Sequence, residues 1–142
     1  MSKEAKLIKG GIFRDERGAI QFVNDFKFLD IKRFYITENV STDEVRAWQG
    51  HKTEKKYFYA VTGEFLIGLV KIDNWENPSK DLKAESLILS ERDSKILEIP
   101  AGYANGLRAL KPNSKLLIFS DKTMEEADKY MYDSALWMNW FE

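Results

Sequence analysis

The chain has 142 residues, of which 44% are hydrophobic and 13% aromatic, so it is long enough for one domain with a packed core and too apolar for disorder. Its 22 Lys+Arg against 23 Asp+Glu leave a net charge of −1, which gives no broad field toward nucleic acid or an anionic membrane. Cysteine is absent, which removes disulfides and thiolate metal sites. No apolar run approaches the roughly 18 residues of a membrane helix. The opening Met-Ser-Lys-Glu-Ala-Lys carries no signal-peptide pattern, so a cytoplasmic protein is expected.

Short apolar runs alternate with turn residues along the chain. Gly10-Gly11-Ile12-Phe13 leads into a turn at Asp15-Glu16-Arg17-Gly18, and residues 19–23 read as a strand. Residues 31–37 alternate apolar and polar before becoming solidly β-forming. Residues 56–62 form another strand, and residues 65–73 follow so closely that Thr62-Gly63-Glu64 reads as a hairpin turn. A polar loop over 74–83 holds Trp75 and Pro78. Strands are expected at 84–89 and 95–99, the latter stopped by Pro100-Ala101-Gly102. Residues 106–110 and 115–119 read as a last pair joined by a turn at Lys111-Pro112-Asn113-Ser114. Only residues 124–131 have helical character, and the tail Trp137-Met138-Asn139-Trp140-Phe141 is aromatic enough for an interface or for covering the edge of the chain's own core.

Many short strands at about ten-residue spacing indicate a sandwich or barrel. No amphipathic segment is long enough to be the crossover helix of a parallel sheet. A double-sheet jelly roll in one domain over residues 1–142, with one short C-terminal helix, is therefore expected. The competing immunoglobulin-like sandwich lacks its Cys…Trp…Cys core signature.

Two segments concentrate the chemistry. Arg46-Ala47-Trp48-Gln49-Gly50-His51-Lys52 holds the only histidine. Ile99-Pro100-Ala101-Gly102-Tyr103-Ala104-Asn105-Gly106 lies about half a chain later. If the first is extended, Gln49 and His51 share a face and Trp48 and Gly50 point the other way. Arg33 and Tyr35 share a face by the same rule. The acidic pairs Asp15-Glu16 and Glu125-Glu126 read as solvated charge.

Taken in order, these motifs resemble the RmlC-like cupins, the nucleotide-sugar epimerases and ketoisomerases of deoxysugar synthesis. The resemblance runs from Asp15-Glu16-Arg17-Gly18 through Ile31-Lys32-Arg33-Phe34-Tyr35, the His51 segment, residues 56–64 and residues 99–106 to Trp137-Met138-Asn139-Trp140. The ketoisomerase pattern Arg-Gly-Phe-His-Ala-His-Lys is matched at Arg46, His51 and Lys52, with Gln49 in place of the first histidine. In Pro-x-Gly-Phe-Ala-His-Gly the histidine has become Asn105, and the tyrosine that the family tends to carry after the last long strand has no counterpart at Ser120-Asp121-Lys122-Thr123-Met124.

The resemblance implies a double-stranded β-helix and an isomerase or epimerase acting on a dTDP-4-keto-6-deoxyhexose by abstracting the proton next to the ketone. The alternative is a cupin that binds a sugar or nucleotide sugar without turnover. Such a base needs a pKa near the working pH, which histidine supplies. His51 and Tyr35 are thus the catalytic candidates, as base and second proton donor. Arg17, Arg33, Arg46, Gln49, Lys56 and Asn105 are the substrate-binding candidates, the guanidinium forks suiting phosphate oxygens. No cofactor is expected. One imidazole with two amides, and Glu54 slightly too early in sequence, make a poor metal site. A nucleotide-linked sugar and a second copy in a homodimer are the expected partners, with neither nucleic acid nor membrane.

Overall fold

The computed structural model describes residues 4–142. The described residues form twelve β-strands in chain order: β1 Lys6–Lys9, β2 Gly11–Asp15, β3 Gly18–Phe22, β4 Arg33–Asn39, β5 Val45–His51 and β6 Lys56–Thr62. They continue as β7 Glu64–Lys71, β8 Glu85–Ser90, β9 Lys95–Ile99, β10 Tyr103–Ala109, β11 Ser114–Ser120 and β12 Tyr130–Met131. One five-stranded sheet has the order β1-β9-β6-β11-β4, the other β12-β5-β10-β7-β8, and β2-β3 is a separate hairpin. All pairings are antiparallel. This is the expected double-sheet jelly roll.

Two expectations about connection fail, for one reason. Thr62-Gly63-Glu64 does not close a hairpin, because β6 and β7 belong to different sheets. Gly63, at φ +77°, turns the chain across the corner of the barrel, where a Cβ would collide with Ser114 Oγ. Strands β10 and β11 likewise lie in opposite sheets, so residues 106–110 and 115–119 are not partners. A tight turn signals reversal, and a jelly roll uses reversals to change sheets as well as to pair neighbours.

The expected C-terminal helix is absent: the described residues contain no α-helix. Helical character at 124–131 is real for one turn only. Thr123 caps it, accepting Glu126 N at its Oγ1 (3.3 Å), while Glu126 Oε1 accepts Thr123 N (3.0 Å). The chain then leaves the helix because Tyr130 and Met131 pair with Gly50 and Gln49 on β5. One turn without a longer apolar stripe cannot outweigh that pairing.

The inner faces of the two sheets meet in a core that includes Phe58, Phe65, Ile67, Leu69, Leu89, Leu97 and Leu116, each almost fully buried. Removing such side chains from water stabilises by about 1.5–3 kcal/mol apiece before entropy is counted. A second cluster lies on the opposite face of the β5-β10-β7 sheet. There Trp48 packs against Trp137 (5.4 Å between centroids) and Trp140 (5.2 Å), and its Nε1 donates to Leu136 O at 2.9 Å. Gly106 makes this approach possible, since a Cβ there would sit 2.7 Å from the Trp140 ring. The aromatic tail therefore covers the chain's own barrel.

Trp140 is 4% exposed and Phe141 56%. Trp140→Ala is expected to cost about 3–5 kcal/mol in urea unfolding, the range for a large aromatic removed from a core. Phe141→Ala, which loses chiefly its stacking under Arg108, should cost about 1 kcal/mol or less.

Candidate functional site

A cavity of about 540 Å³ opens between the sheets. Strand alternation decides what enters it. From β4 come Arg33, Tyr35 and Thr37; from β5, Gln49 and His51; from β6, Lys56 and Phe58; from β10, Asn105 and Leu107. Arg46 reaches the rim, and residues Met124, Ala127, Asp128 and Lys129 form a cap at the mouth. The two amides Gln49 and Asn105 are cross-strand partners.

His51 is 4% exposed. Its Nδ1 lies 2.7 Å from Asp128 O. A carbonyl oxygen only accepts, so Nδ1 carries the proton and donates it. In its neutral form the ring then presents a lone pair at Nε2, which is buried and has no hydrogen-bond partner among the described residues. Thr37 Oγ1 and Asn105 Nδ2 are buried and unpartnered in the same sense, and both residues line the cavity. Orphaned buried polar atoms are uncommon in stable folds and mark groups kept for a ligand or for water.

Beneath the histidine is a residue that sequence reasoning dismissed. Glu54 is fully buried, with Oε1 3.1 Å from His51 Nδ1. Its Oε2 accepts from Arg33 Nη2 at 3.0 Å and from Ser120 Oγ, and lies 3.9 Å from Lys56 Nζ. Burial pushes the Glu54 carboxyl up, but His51, Ser120 and Lys56 outweigh it and hold the group at about 2. Position i+3 from His51, in a window of polar residues, was the available signal. Its spacing does not fit a metal-ligand pattern, and the sequence attaches no other motif to it.

Tyr35 and Lys56 form a second unit. Lys56 Nζ donates to Tyr35 Oη at 2.5 Å, and the Arg33 guanidinium stands over the Tyr35 ring at 5.0 Å. Burial holds Lys56 below the ordinary lysine range; Glu54 opposes this and Arg33 adds to it. Burial raises the Tyr35 phenol, partly offset by Arg33. The phenol is thus kept protonated next to a cation, the state from which it can donate.

The structure brings His51, Tyr35, Arg33, Arg46, Gln49, Lys56 and Asn105 together. It does not bring Arg17 to the cavity of its own chain. That residue is at the tip of the β2-β3 hairpin, 81% exposed at its side chain, and its Nη2 binds Asp15 Oδ2 at 2.7 Å. Asp15 and Arg17 belong to a two-strand ribbon that pairs with no other sheet among the described residues. Arg33 is not free for an incoming anion either: besides Glu54, it holds Lys122 O through Nε at 3.1 Å.

His51, Glu54 and Asp128 bring three potential metal ligands within 4.8 Å. The donors fit a cation poorly. Nδ1 spends its proton on the Asp128 carbonyl, Glu54 faces the cations Arg33 and Lys56, and Asp128 Oδ2 accepts the amides of Lys52 (2.7 Å) and Thr53 (3.2 Å).

The lowered Glu54 pKa ties stability to pH. Its folded value, about 2, lies below the ordinary 4.5, so the ionised group stabilises the fold fully above about pH 4.5. That contribution is lost as pH falls toward 2. Glu54→Gln is expected to lower stability at neutral pH by about 3 kcal/mol and to flatten the acid limb of a pH series of urea midpoints.

Comparison with known proteins supports a family. The family model described as WxcM-like, C-terminal (FdtA) matches residues 3–142. A comparison with curated proteins returned no match. Among solved structures, dTDP-4-dehydrorhamnose 3,5-epimerase from Bacillus anthracis, with TDP and PPi bound, superposes with a TM-score of 0.76 at 19% identity, covering 96% of this chain and 85% of that one. A variant of the 3,4-ketoisomerase QdtA from Thermoanaerobacterium thermosaccharolyticum, in complex with TDP-4-keto-6-deoxyglucose, superposes at 0.67 with 21% identity over 96% of this chain and 87% of its own. A 3,4-ketoisomerase from Helicobacter canadensis gives 0.68 at 20% identity over 89% and 91%. At such identities the structures establish the fold. With the cavity flanked by β4, β5, β6 and β10 and the family model spanning nearly every residue, the chain belongs to the WxcM-like C-terminal (FdtA) family and has the RmlC-like cupin fold.

Proposed function

We propose that this chain, as one domain over residues 1–142, is a cytoplasmic isomerase acting on a dTDP-4-keto-6-deoxyhexose by proton abstraction next to the ketone. The observation that carries the reading is the buried His51 ring, its Nδ1 bonded to Asp128 O and its Nε2 without a partner among the described residues, in a cavity that Lys56 and Arg33 line. Several solved structures of the same fold are dTDP-sugar epimerases and ketoisomerases, which supports the substrate class.

In this mechanism Nε2 removes the α-proton. The resulting enediolate gains negative charge on oxygen, which Lys56 and the Asn105 Nδ2 donor stabilise in a site shielded from water. Tyr35, bonded to Lys56, returns a proton to carbon or oxygen, its phenolate being stabilised by that ammonium while it is formed. Arg46 at the rim and Gln49 in the cavity contact the nucleotide diphosphate and the sugar.

The test is incubation with dTDP-4-keto-6-deoxyglucose in deuterated buffer, read by NMR. Deuterium is expected at a carbon next to the ketone, and His51→Asn should slow its appearance by about 100-fold or more, the range for loss of a general base. Tyr35→Phe should slow product formation while leaving some exchange at the abstracted position. Binding by calorimetry without any exchange would instead favour the sugar-binding reading, which the amides Gln49 and Asn105 suggest.

We further propose a homodimer. The outward face of β4 carries Phe34 (65% exposed) and Ile36 (55%), next to Phe119 and Phe28. Such a contiguous apolar patch is uncommon on a monomer. Light scattering should give about twice the 16.6 kDa chain mass, and Phe34→Glu should shift it toward one chain.

A further inference from the structure

We infer that Asp128 is a positioning residue: the cap over the cavity mouth sets which nitrogen of His51 carries the proton. The catalytic consequence rests on the function proposed above; the tautomer claim does not.

Two acceptors approach His51 Nδ1, Asp128 O at 2.7 Å and Glu54 Oε1 at 3.1 Å. The shorter contact belongs to the cap and not to the β5-β6 connection that carries Glu54. The same residue anchors the cap through its side chain, because Asp128 Oδ2 accepts the amides of Lys52 and Thr53, the two residues directly after His51. One residue therefore grips the β5-β6 connection with its carboxylate and orients the ring with its carbonyl. On either side the cap is tied by the Thr123–Glu126 turn, reinforced by Lys32 Nζ on Glu126 Oε1 at 3.1 Å, and by Tyr130 pairing with Gly50. Met124 and Ala127 close the mouth on the same segment. Seating the cap and freeing Nε2 are thus one event. With the cap displaced, Nδ1 loses its better acceptor and the neutral ring can carry its proton on either nitrogen.

The chain has a single histidine, so 15N-histidine labelling gives one pair of ring signals that reports the tautomer directly. At alkaline pH, without ligand, the wild-type ring is expected to be almost wholly Nδ1–H. Asp128→Ala should reduce the preference roughly tenfold, about the worth of one hydrogen bond of ordinary net strength. Asp128→Asn, whose Oδ1 can still accept an amide, should restore most of it. A wild-type ring protonated at Nε2 would overturn the inference, and so would an Asp128→Ala ring as fully Nδ1–H as wild type, which would leave Glu54 as the determinant.

Hydrogen exchange in the wild type provides the measurement that needs no variant. The Lys52 and Thr53 amides should exchange together with the Nδ1 proton; an Nδ1 proton still protected after both amides have exchanged would also refute the coupling. If the chain turns over the keto sugar, Asp128→Ala should lower kcat roughly tenfold in step with the tautomer change. Tautomer results as expected with no turnover by the wild type would count against the proposed function alone.

Discussion

The site is organised around one buried carboxylate. Glu54 lies between the barrel wall and the cap, and every polar group around it is arranged to meet its charge: Arg33 and Lys56 from neighbouring strands, Ser120 from the end of β11, and His51 three residues earlier. A bare carboxylate in that position would be costly, and its neighbours, once placed there, would be equally costly without it. The arrangement is weak evidence for net stability, since an apolar replacement of the whole set can be as stable.

The same carboxylate separates the cavity into two electrostatic regions. On one side it neutralises Arg33 and keeps the His51 ring beside an anion. On the other, Lys56 is shared between Glu54 and the Tyr35 phenol, so a cation stabilises the oxygen of a group that burial keeps protonated. An imidazole and a phenol thus face one cavity, the phenol held protonated by burial beside the Lys56 ammonium. Gln49 and Asn105 contribute donors and acceptors that do not titrate. They leave His51 as the one imidazole in the cavity, so any proton chemistry of that type converges on a single nitrogen.

The jelly-roll connectivity explains how residues far apart in sequence reach this point. From β4 to β7, and again from β8 to β11, the chain crosses between sheets at each reversal, so strands adjacent in sequence face each other across the core. Inward residues of β4 and β5 therefore point at one another across the cavity. The opposite face of β5, where Trp48 projects, is sealed by the aromatic tail, which fixes the strand that carries His51 from behind.

Much of this was legible from the order of residues. The period of two placed Arg33 with Tyr35 and Gln49 with His51, and both pairs do face the cavity, because backbone pleating leaves no other choice once a strand forms. Strand spacing and the absence of crossover helices gave the double sheet. What only the tertiary structure decided was partnership. Turn residues at 62–64 and 111–114 reverse the chain but do not say whether the next strand pairs or changes sheet, since that depends on core packing across the whole barrel. One helical turn at residues 123–127 gave way to pairing with β5, as a local preference of that size does when a sheet edge is within reach. Asp128 is 77 residues from His51 in sequence, and Glu54 lies next to it without any motif to announce it. Sequence encodes the direction in which a side chain points; which group waits at the other end is set by closure of the fold, and that is where the proton on His51 is decided.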